Sequence, residues 1–173
     1  MDLNTLIRER YSCRDMDASR PVEQEKLKKI AEAARLAPSA CNLQRQRLKI
    51  VTSQEGLEKL RQCTPCHFQA PAVIILSLSE DTGDSPMDRQ SGYKFGMMDM
   101  GIVAAHMSLQ AQELGLGNTI VGMFQEEKLR NFFGIPQGQL PVLLFPVGYP
   151  GKKGGPCILH KSRRPLEDTV EFI

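Results

Sequence analysis

The sequence predicts an α+β or three-layer αβα domain. Three observations carry this. Ala72 to Leu78 is a short apolar run rich in β-branched residues, as in a strand covered on both faces. A long apolar stretch from about Gly92 to Leu114 reads as a helix, closed by Gly115-Leu116-Gly117. Around these two, helical and strand patterns alternate irregularly, with about four strands in all, so the order need not be doubly wound. A chain of 173 residues, 41% hydrophobic and 24% charged, suits one domain spanning 1-173.

The elements follow in order. Asp2 caps a short helix with Leu3, Leu6 and Ile7 on one face. Pro21 suits a first helical position, and Leu27, Ile30, Ala31 and Ala34 repeat at helical spacing up to about Ala37. Pro38 stops that helix, and Pro38 to Asn42 is loop-like. Leu48 to Val51 reads as a strand and Glu55 to Arg61 as a helix. Asp81 to Asp88 is a polar loop, too brief with its flanks for a large lid between Leu78 and Tyr93. Asn118 to Gly122 looks like a strand, and Glu126 to Phe133 a helix closed by Gly134 and Pro136. Val142 to Val147 is a strand in which Pro146 suggests an edge or a bulge. A glycine-rich turn, Gly151 to Pro156, leads to a mostly polar tail.

Composition excludes several classes. No apolar run approaches the ~20 residues of a membrane span. The N-terminus carries no basic and apolar leader, so the expected location is cytoplasmic. Five cysteines, an odd number, argue against a disulfide scaffold. A net charge of +2 is too mild to imply nucleic acid. That charge is uneven, with Arg8, Arg10 and Arg14 at one end and Lys152, Lys153, Lys161, Arg163 and Arg164 at the other. Two basic clusters could converge on one anion.

Candidate chemistry is sparse. Gly115-x-Gly117 fails as a dinucleotide fingerprint, because it follows a helix and position 120 is Ile. Cys63-Thr64-Pro65-Cys66-His67 matches haem-attachment, zinc and redox patterns. Haem attachment needs export, and zinc needs further ligands that Cys13, Cys41, Cys157, His106 and His160 do not supply at suitable spacing. Met97, Met98, Met100 and Met107 read as core filling, and Asp99 and His106 as surface or locally satisfied groups. Arg10-x-Ser12-x-Arg14 is the strongest local signal. In an extended segment its two guanidiniums and hydroxyl project to one side, a compact donor set for a phosphate monoester. Lys161-x-Arg163 repeats the alternation.

Five motifs, in order, resemble one family across nearly the whole chain. They are Arg10-Tyr11-Ser12-Cys13-Arg14; Ala37-Pro38-Ser39-Ala40-Cys41-Asn42-Leu43-Gln44; the stretch from Asp99-Met100-Gly101 through Gly115-Leu116-Gly117 to Gly122-Met123-Phe124; Phe145 to Pro150; and Lys161-Ser162-Arg163. Together they are similar to those of the nitroreductase family of flavoproteins. The resemblance implies a mostly antiparallel central sheet flanked by helices. It also implies a homodimer with the long central helix in its interface, and with residues 165-173, ending in Thr169 to Ile173, as a C-terminal arm around the partner. The implied cofactor is FMN, bound at the dimer interface, with NADH or NADPH as electron donor and a small molecule such as a nitroaromatic or quinone as acceptor, in ping-pong order.

The resemblance assigns the phosphate to Arg10, Ser12, Arg14, Lys161 and Arg163, and counts Tyr11 among the cofactor-binding residues. The loop of Pro38, Ser39, Ala40 and Asn42 would come from the other chain. The backbone of Ile120, Val121 and Gly122 would face the ring, with an N–H near flavin N5. No side chain need act as catalyst, since the ring supplies the chemistry. Cations from distant parts of the chain suit a doubly charged phosphate, and glycine lets a backbone lie close to a planar ligand. The chain departs from the family in following Gln44 with Arg45 and Gln46 and in lacking Trp. The alternatives are a flavin store or sensor without turnover, and a thiol or metal redox module on Cys63 and Cys66.

Overall fold

The computed structural model describes residues 1–81 and 93–173. In chain order the elements are α1 (Leu3–Glu9), α2 (Gln24–Arg35), β1 (Gln46–Val51), α3 (Gln54–Cys63), β2 (Ala72–Ser79), α4 (Tyr93–Glu113), β3 (Gly117–Asn118), α5 (Glu126–Phe133) and β4 (Gln139–Gly148). Short 3₁₀ turns lie at Ala40–Asn42, Ile158–Lys161 and Leu166–Asp168. The strands form one sheet in the order β1-β2-β4-β3, and every pair is antiparallel.

The period-2 geometry of a strand splits β2 between two cores. Ala72, Ile74, Leu76 and Leu78 face α2 and α4, packing with Leu27, Ile30, Met100 and Met107. Val73 and Ile75 face α3 and α5, packing with Leu57, Leu60 and Leu129. β4 divides in the same way, with Phe145 and Val147 on the first face and Leu144 on the second. This is the expected three-layer arrangement. Each fully buried aliphatic or aromatic side chain contributes about 1.5–3 kcal/mol, so these two strands are a large part of the core's stabilisation.

Local signals set the helix ends. The Asp2 carboxylate accepts from the Thr5 N–H (3.1 Å), and the Ser53 hydroxyl from the Gly56 N–H (3.2 Å). Gly115 takes φ +72°; its N–H donates to Gln112 O (3.0 Å) and the Leu116 N–H to Ala111 O (2.9 Å). That is a Schellman closure, so the glycines there end a helix, as the sequence implied.

Several expectations change. α2 starts at Gln24 rather than Pro21, because Asp17 and Ser19 make a turn ahead of it and Glu23, at the N-cap position, keeps an extended backbone. β1, α3, β2 and β4 each run past their expected bounds. The strand expected over Asn118 to Gly122 ends at Asn118. The cause is Pro146: its carbonyl accepts from the Thr119 N–H (3.2 Å), but it has no N–H to return, and pairing resumes only between Val121 and Leu144. Pro146 thus sits in an interior strand, with its nitrogen turned to the ragged β3 side. The bulge in β4 is elsewhere, opposite Leu76 and Ser77.

Leu6 of α1 is buried, whereas Leu3 and Ile7 are exposed. Met100 and Met107 fill the core, but Met97 and Met98 lie exposed on α4 with Ile102. His106 is locally satisfied by Ile102 O (3.0 Å), while Asp99 is buried rather than on the surface. The polar loop of 81–88 beyond Asp81, the onset of the long helix at Gly92 and the absence of room for a lid fall on residues 82–92, outside the described residues.

Candidate functional site

The segment Arg10 to Arg14 is extended because it pairs with the end of β3. Ser12 bridges Asn118 in parallel, and the Cys13 N–H donates to Asn118 O (2.9 Å). The Thr119 hydroxyl donates to Cys13 O. Cys13 packs so closely on Gly117 that a Cβ there would lie 2.6 Å from its sulfur. Alternation then turns Tyr11 and Cys13 toward the α3/α5 core and leaves Arg10, Ser12 and Arg14 on the other side. Burial pushes the Tyr11 phenol and the Cys13 thiol up, so both stay neutral.

Asp15 brings the far end of the chain to this segment. Its backbone carbonyl accepts from the Gly151 N–H (2.8 Å) and its carboxylate from the Lys153 N–H (2.8 Å) and the Gln69 amide (3.3 Å). Gly154 fits only without a side chain, since a Cβ there would overlap Asp15 O and the Gly151 nitrogen. Both obstacles are backbone atoms and cannot swing away. Gly154→Ala is therefore expected to cost about 1–3 kcal/mol and to shift the turn that carries the basic tail; thermal denaturation with an anion-binding titration checks both effects.

Beyond that turn the chain folds back, and the His160 ring meets Tyr11 edge to face at 6.1 Å. Arg163 donates to His160 O (2.7 Å) and Ser162 O (2.6 Å). Arg10, Ser12 and Arg14 thereby share a cavity of about 160 Å³ with Cys157, His160 and Arg163. Three guanidiniums and a hydroxyl line it, and none of its lining residues is a carboxylate. That donor set fits a phosphate monoester. Lys161 lies instead in the wider adjoining groove, which shares Tyr11, His160 and Arg163 with the cavity.

The strip after Thr119 starts where the arginine segment ends. Val121 is buried and exchanges both backbone hydrogen bonds with Leu144 (2.9 Å each). Ile120 and Gly122 are exposed. Nothing lies within 4 Å of a Cβ built on Gly122. The Gly122 N–H has no hydrogen-bond partner among the described residues. A flat ligand could lie on this edge and meet that donor.

The loop of Pro38, Ser39, Ala40 and Asn42 lies elsewhere. It packs beside α4 and does not line the arginine cavity of its own chain. Cys41, Asn42 and Gln44 hold left-handed backbones at φ 51°, 53° and 48°. Such conformations cost about 1–3 kcal/mol each in non-glycine residues and concentrate at ligand clamps.

The Cys63 to His67 segment has a different task from the chemistry its spacing suggested. Cys63 is the last residue of α3, not part of a loop, and its sulfur meets Lys59 O (3.4 Å). Burial pushes its thiol up, which disfavours the reactive thiolate. Burial first, then the Arg61 charge, lowers the His67 pKa; its neutral ring nitrogen accepts from the Gln69 N–H (3.1 Å). Among the described residues, no three His, Cys, Asp or Glu side chains converge to hold a metal, and all five cysteines are free. The segment braces the strip beyond Gly122: the Thr64 hydroxyl donates to Met123 O (2.6 Å) and the Gln125 N–H to Cys63 O (2.8 Å).

Sequence reasoning passed over Asp15, although it directly follows the arginine motif, and the buried role of Asp99. It also passed over the contacts of Tyr149, whose hydroxyl donates to Glu23 (2.8 Å) and accepts from Lys26 (2.8 Å), with Arg20 3.2 Å over its ring. These partners lie far apart in sequence, so no local pattern announces them.

The profile of the Nitroreductase family matches residues 7–68 and 64–149. A protein of Methanothermobacter thermautotrophicus, provisionally named NADH dehydrogenase/NAD(P)H nitroreductase, is 31% identical over 162 residues, covering 90% of this chain and 81% of that one. The Bacillus subtilis protein named FMN reductase (NAD(P)H) is 27% identical over 163 residues, covering 85% of this chain and 64% of its own length. A crystal structure of a nitroreductase family protein from Clostridium difficile 630 superposes with a TM-score of 0.85 at 34% identity, covering 99% of this chain and 98% of that one.

Proposed function

The chain belongs to the nitroreductase family, and from that membership we propose that it is an FMN-dependent oxidoreductase that draws electrons from NADH or NADPH. The observation that carries the reading is the cavity in which Arg10, Ser12, Arg14 and Arg163 meet. Arginine forks bind phosphate bidentately, and four sites drawn from both ends of the chain suit a phosphate monoester. Tyr11 and His160 wall the cavity, and Lys161 adds charge from the groove beside it. The edge at Ile120, Val121 and Gly122, exposed at Ile120 and Gly122 and with the Gly122 N–H unpaired among the described residues, supports a ring-binding role for that strip.

FMN held by these residues would supply the redox chemistry between the nicotinamide donor and a nitroaromatic, quinone or similar acceptor, in ping-pong order. The protein's own part is to bind and to orient. The arginines hold the charged end, and the Val121–Leu144 pairing keeps the strip rigid. A side-chain acid or nucleophile is not needed, since the ring supplies the chemistry.

The working unit in this reading is a homodimer. Met97, Met98 and Ile102 form an exposed apolar face on α4, opposite its buried one. Leu166, Val170, Phe172 and Ile173 are exposed at the end of the chain, as suits an arm, residues 165-173, that packs on a second copy of the 1-173 domain. The loop of Pro38, Ser39, Ala40 and Asn42 would then serve the partner's flavin. No helix among the described residues is long and apolar enough to cross a membrane, and we place the enzyme in the cytoplasm, working on small molecules rather than nucleic acid.

The test is a visible spectrum of the purified protein, with added FMN if needed, followed by anaerobic addition of NADH and of NADPH. The expected result is flavin absorption near ~450 nm that bleaches with at least one donor. Absorption that persists with both donors points to a flavin store. A protein that takes up no FMN overturns the reading.

A further inference from the structure

We propose that Asp99 is a positioning residue that holds the Pro38–Gln44 loop in its binding conformation. This rests on the reading of that loop as part of a flavin site. Asp99 lies within α4, three residues before the exposed Ile102 and beside the exposed Met98. It is nonetheless 4% exposed. One carboxylate oxygen accepts from the Ala40 N–H at 3.0 Å. The other is buried with no hydrogen-bond partner among the described residues.

A buried carboxylate left half-unsatisfied is destabilising by itself. What it gains is control of the loop. Immediately after Ala40 the backbone enters the left-handed region at Cys41 and Asn42, and again at Gln44. Non-glycine residues stay there only where the surroundings force them to. Inside the loop the forcing contacts are the Asn42 N–H to Ser39 O (3.0 Å), the Leu43 N–H to Ala40 O (3.1 Å) and the Gln44 N–H to the Ser39 hydroxyl (3.0 Å). All three are internal and would move with the loop. Among the described residues, the Asp99 bond is the one that ties an N–H of the loop to another element. It anchors the loop to α4, the helix that also carries the apolar face offered to a second copy. The loop's placement against a flavin and the seating of the dimer thus share one carboxylate.

Two substitutions separate positioning from mere packing. Asp99→Asn keeps an oxygen for the Ala40 N–H and removes the buried charge, whereas Asp99→Ala removes the bond. Each is purified as the dimer and titrated with FMN, and visible circular dichroism of the flavin is recorded at saturation. Asp99→Ala is expected to weaken FMN binding about tenfold, the scale of one hydrogen bond, and to change the flavin dichroism. Asp99→Asn is expected to restore both, with a melting temperature at or above that of the unmodified protein. A packing role alone would lower the melting temperature without changing the dichroism of the saturated site.

Wild-type affinity and dichroism in Asp99→Ala overturn the proposal, as does an Asp99→Asn protein no better than Asp99→Ala. If Asp99→Ala fails to fold, Ala40→Pro removes the donor from the other side; Ser39 at φ −139°, ψ 152° already has the extended backbone a residue before proline requires. The same weakening is then expected, and unaltered binding overturns the proposal. If the unmodified protein binds no FMN, the flavin reading itself falls, an outcome distinct from all of these.

Discussion

Replacing Arg10 and Arg14 together with alanine is expected to empty the proposed flavin site while leaving the fold in place. Both side chains point away from the core, and the segment that carries them is held by backbone pairing to Asn118 and by the Thr119 hydroxyl, none of which the substitution touches. Arg14 makes one long contact with Ser12 O (3.5 Å), worth little to stability at an exposed site. Charge-assisted hydrogen bonds contribute about 1.5–3 kcal/mol each, so losing two partners weakens an FMN monophosphate by at least about two orders of magnitude. Riboflavin, which lacks the phosphate, should lose far less. The measurement is a paired titration of the double variant with FMN and riboflavin, beside a melting curve. A variant that still purifies yellow at full occupancy would remove the phosphate from this cavity.

The second large effect is on stability. Phe145→Ala should lower the unfolding free energy by about 3–5 kcal/mol. Phe145 is fully buried in β4, opposite Ile74 of β2 and under the α2/α4 layer. The surrounding side chains belong to paired strands and packed helices, so the space cannot collapse cheaply. For a domain of this size each kcal/mol shifts the midpoint by about 2–4 °C, giving a fall of about 6–20 °C. Urea unfolding with an unchanged slope would show that stability, rather than the unfolded state, has moved. Since β4 also supports Val121 through Leu144, flavin affinity should decline with stability in this variant, whereas in Arg10→Ala/Arg14→Ala the two separate.

Much of this molecule was legible locally. The alternation of Arg10, Ser12 and Arg14 foretold a one-sided donor set, and the pairing with Asn118 delivers it. The glycines at 115 and 134 foretold helix ends and adopt positive φ there. The apolar run from Ala72 foretold a strand covered on both faces, and each face meets its own helical layer. These signals are readable because a cap, a turn or a periodic face is written within a few consecutive residues.

What escaped the sequence was decided across distance. Asp15 meets Lys153, Thr119 meets Cys13 and Asp99 meets Ala40 at separations no residue pattern encodes. Pro146 looked like a mark of an edge, yet it sits within the sheet and shortens the neighbouring strand instead. Cys63, Cys66 and His67 had the spacing of a metal or redox site, but Cys63 is buried at a helix end, and the Thr64 hydroxyl and the Cys63 carbonyl brace the strip beyond Gly122. The sequence by itself determined where most helices and strands lie and that basic residues cluster at both ends of the chain. Only the tertiary structure decided which charges converge, because hydrogen bonds and desolvation act between groups that meet in space, wherever they stand in the chain.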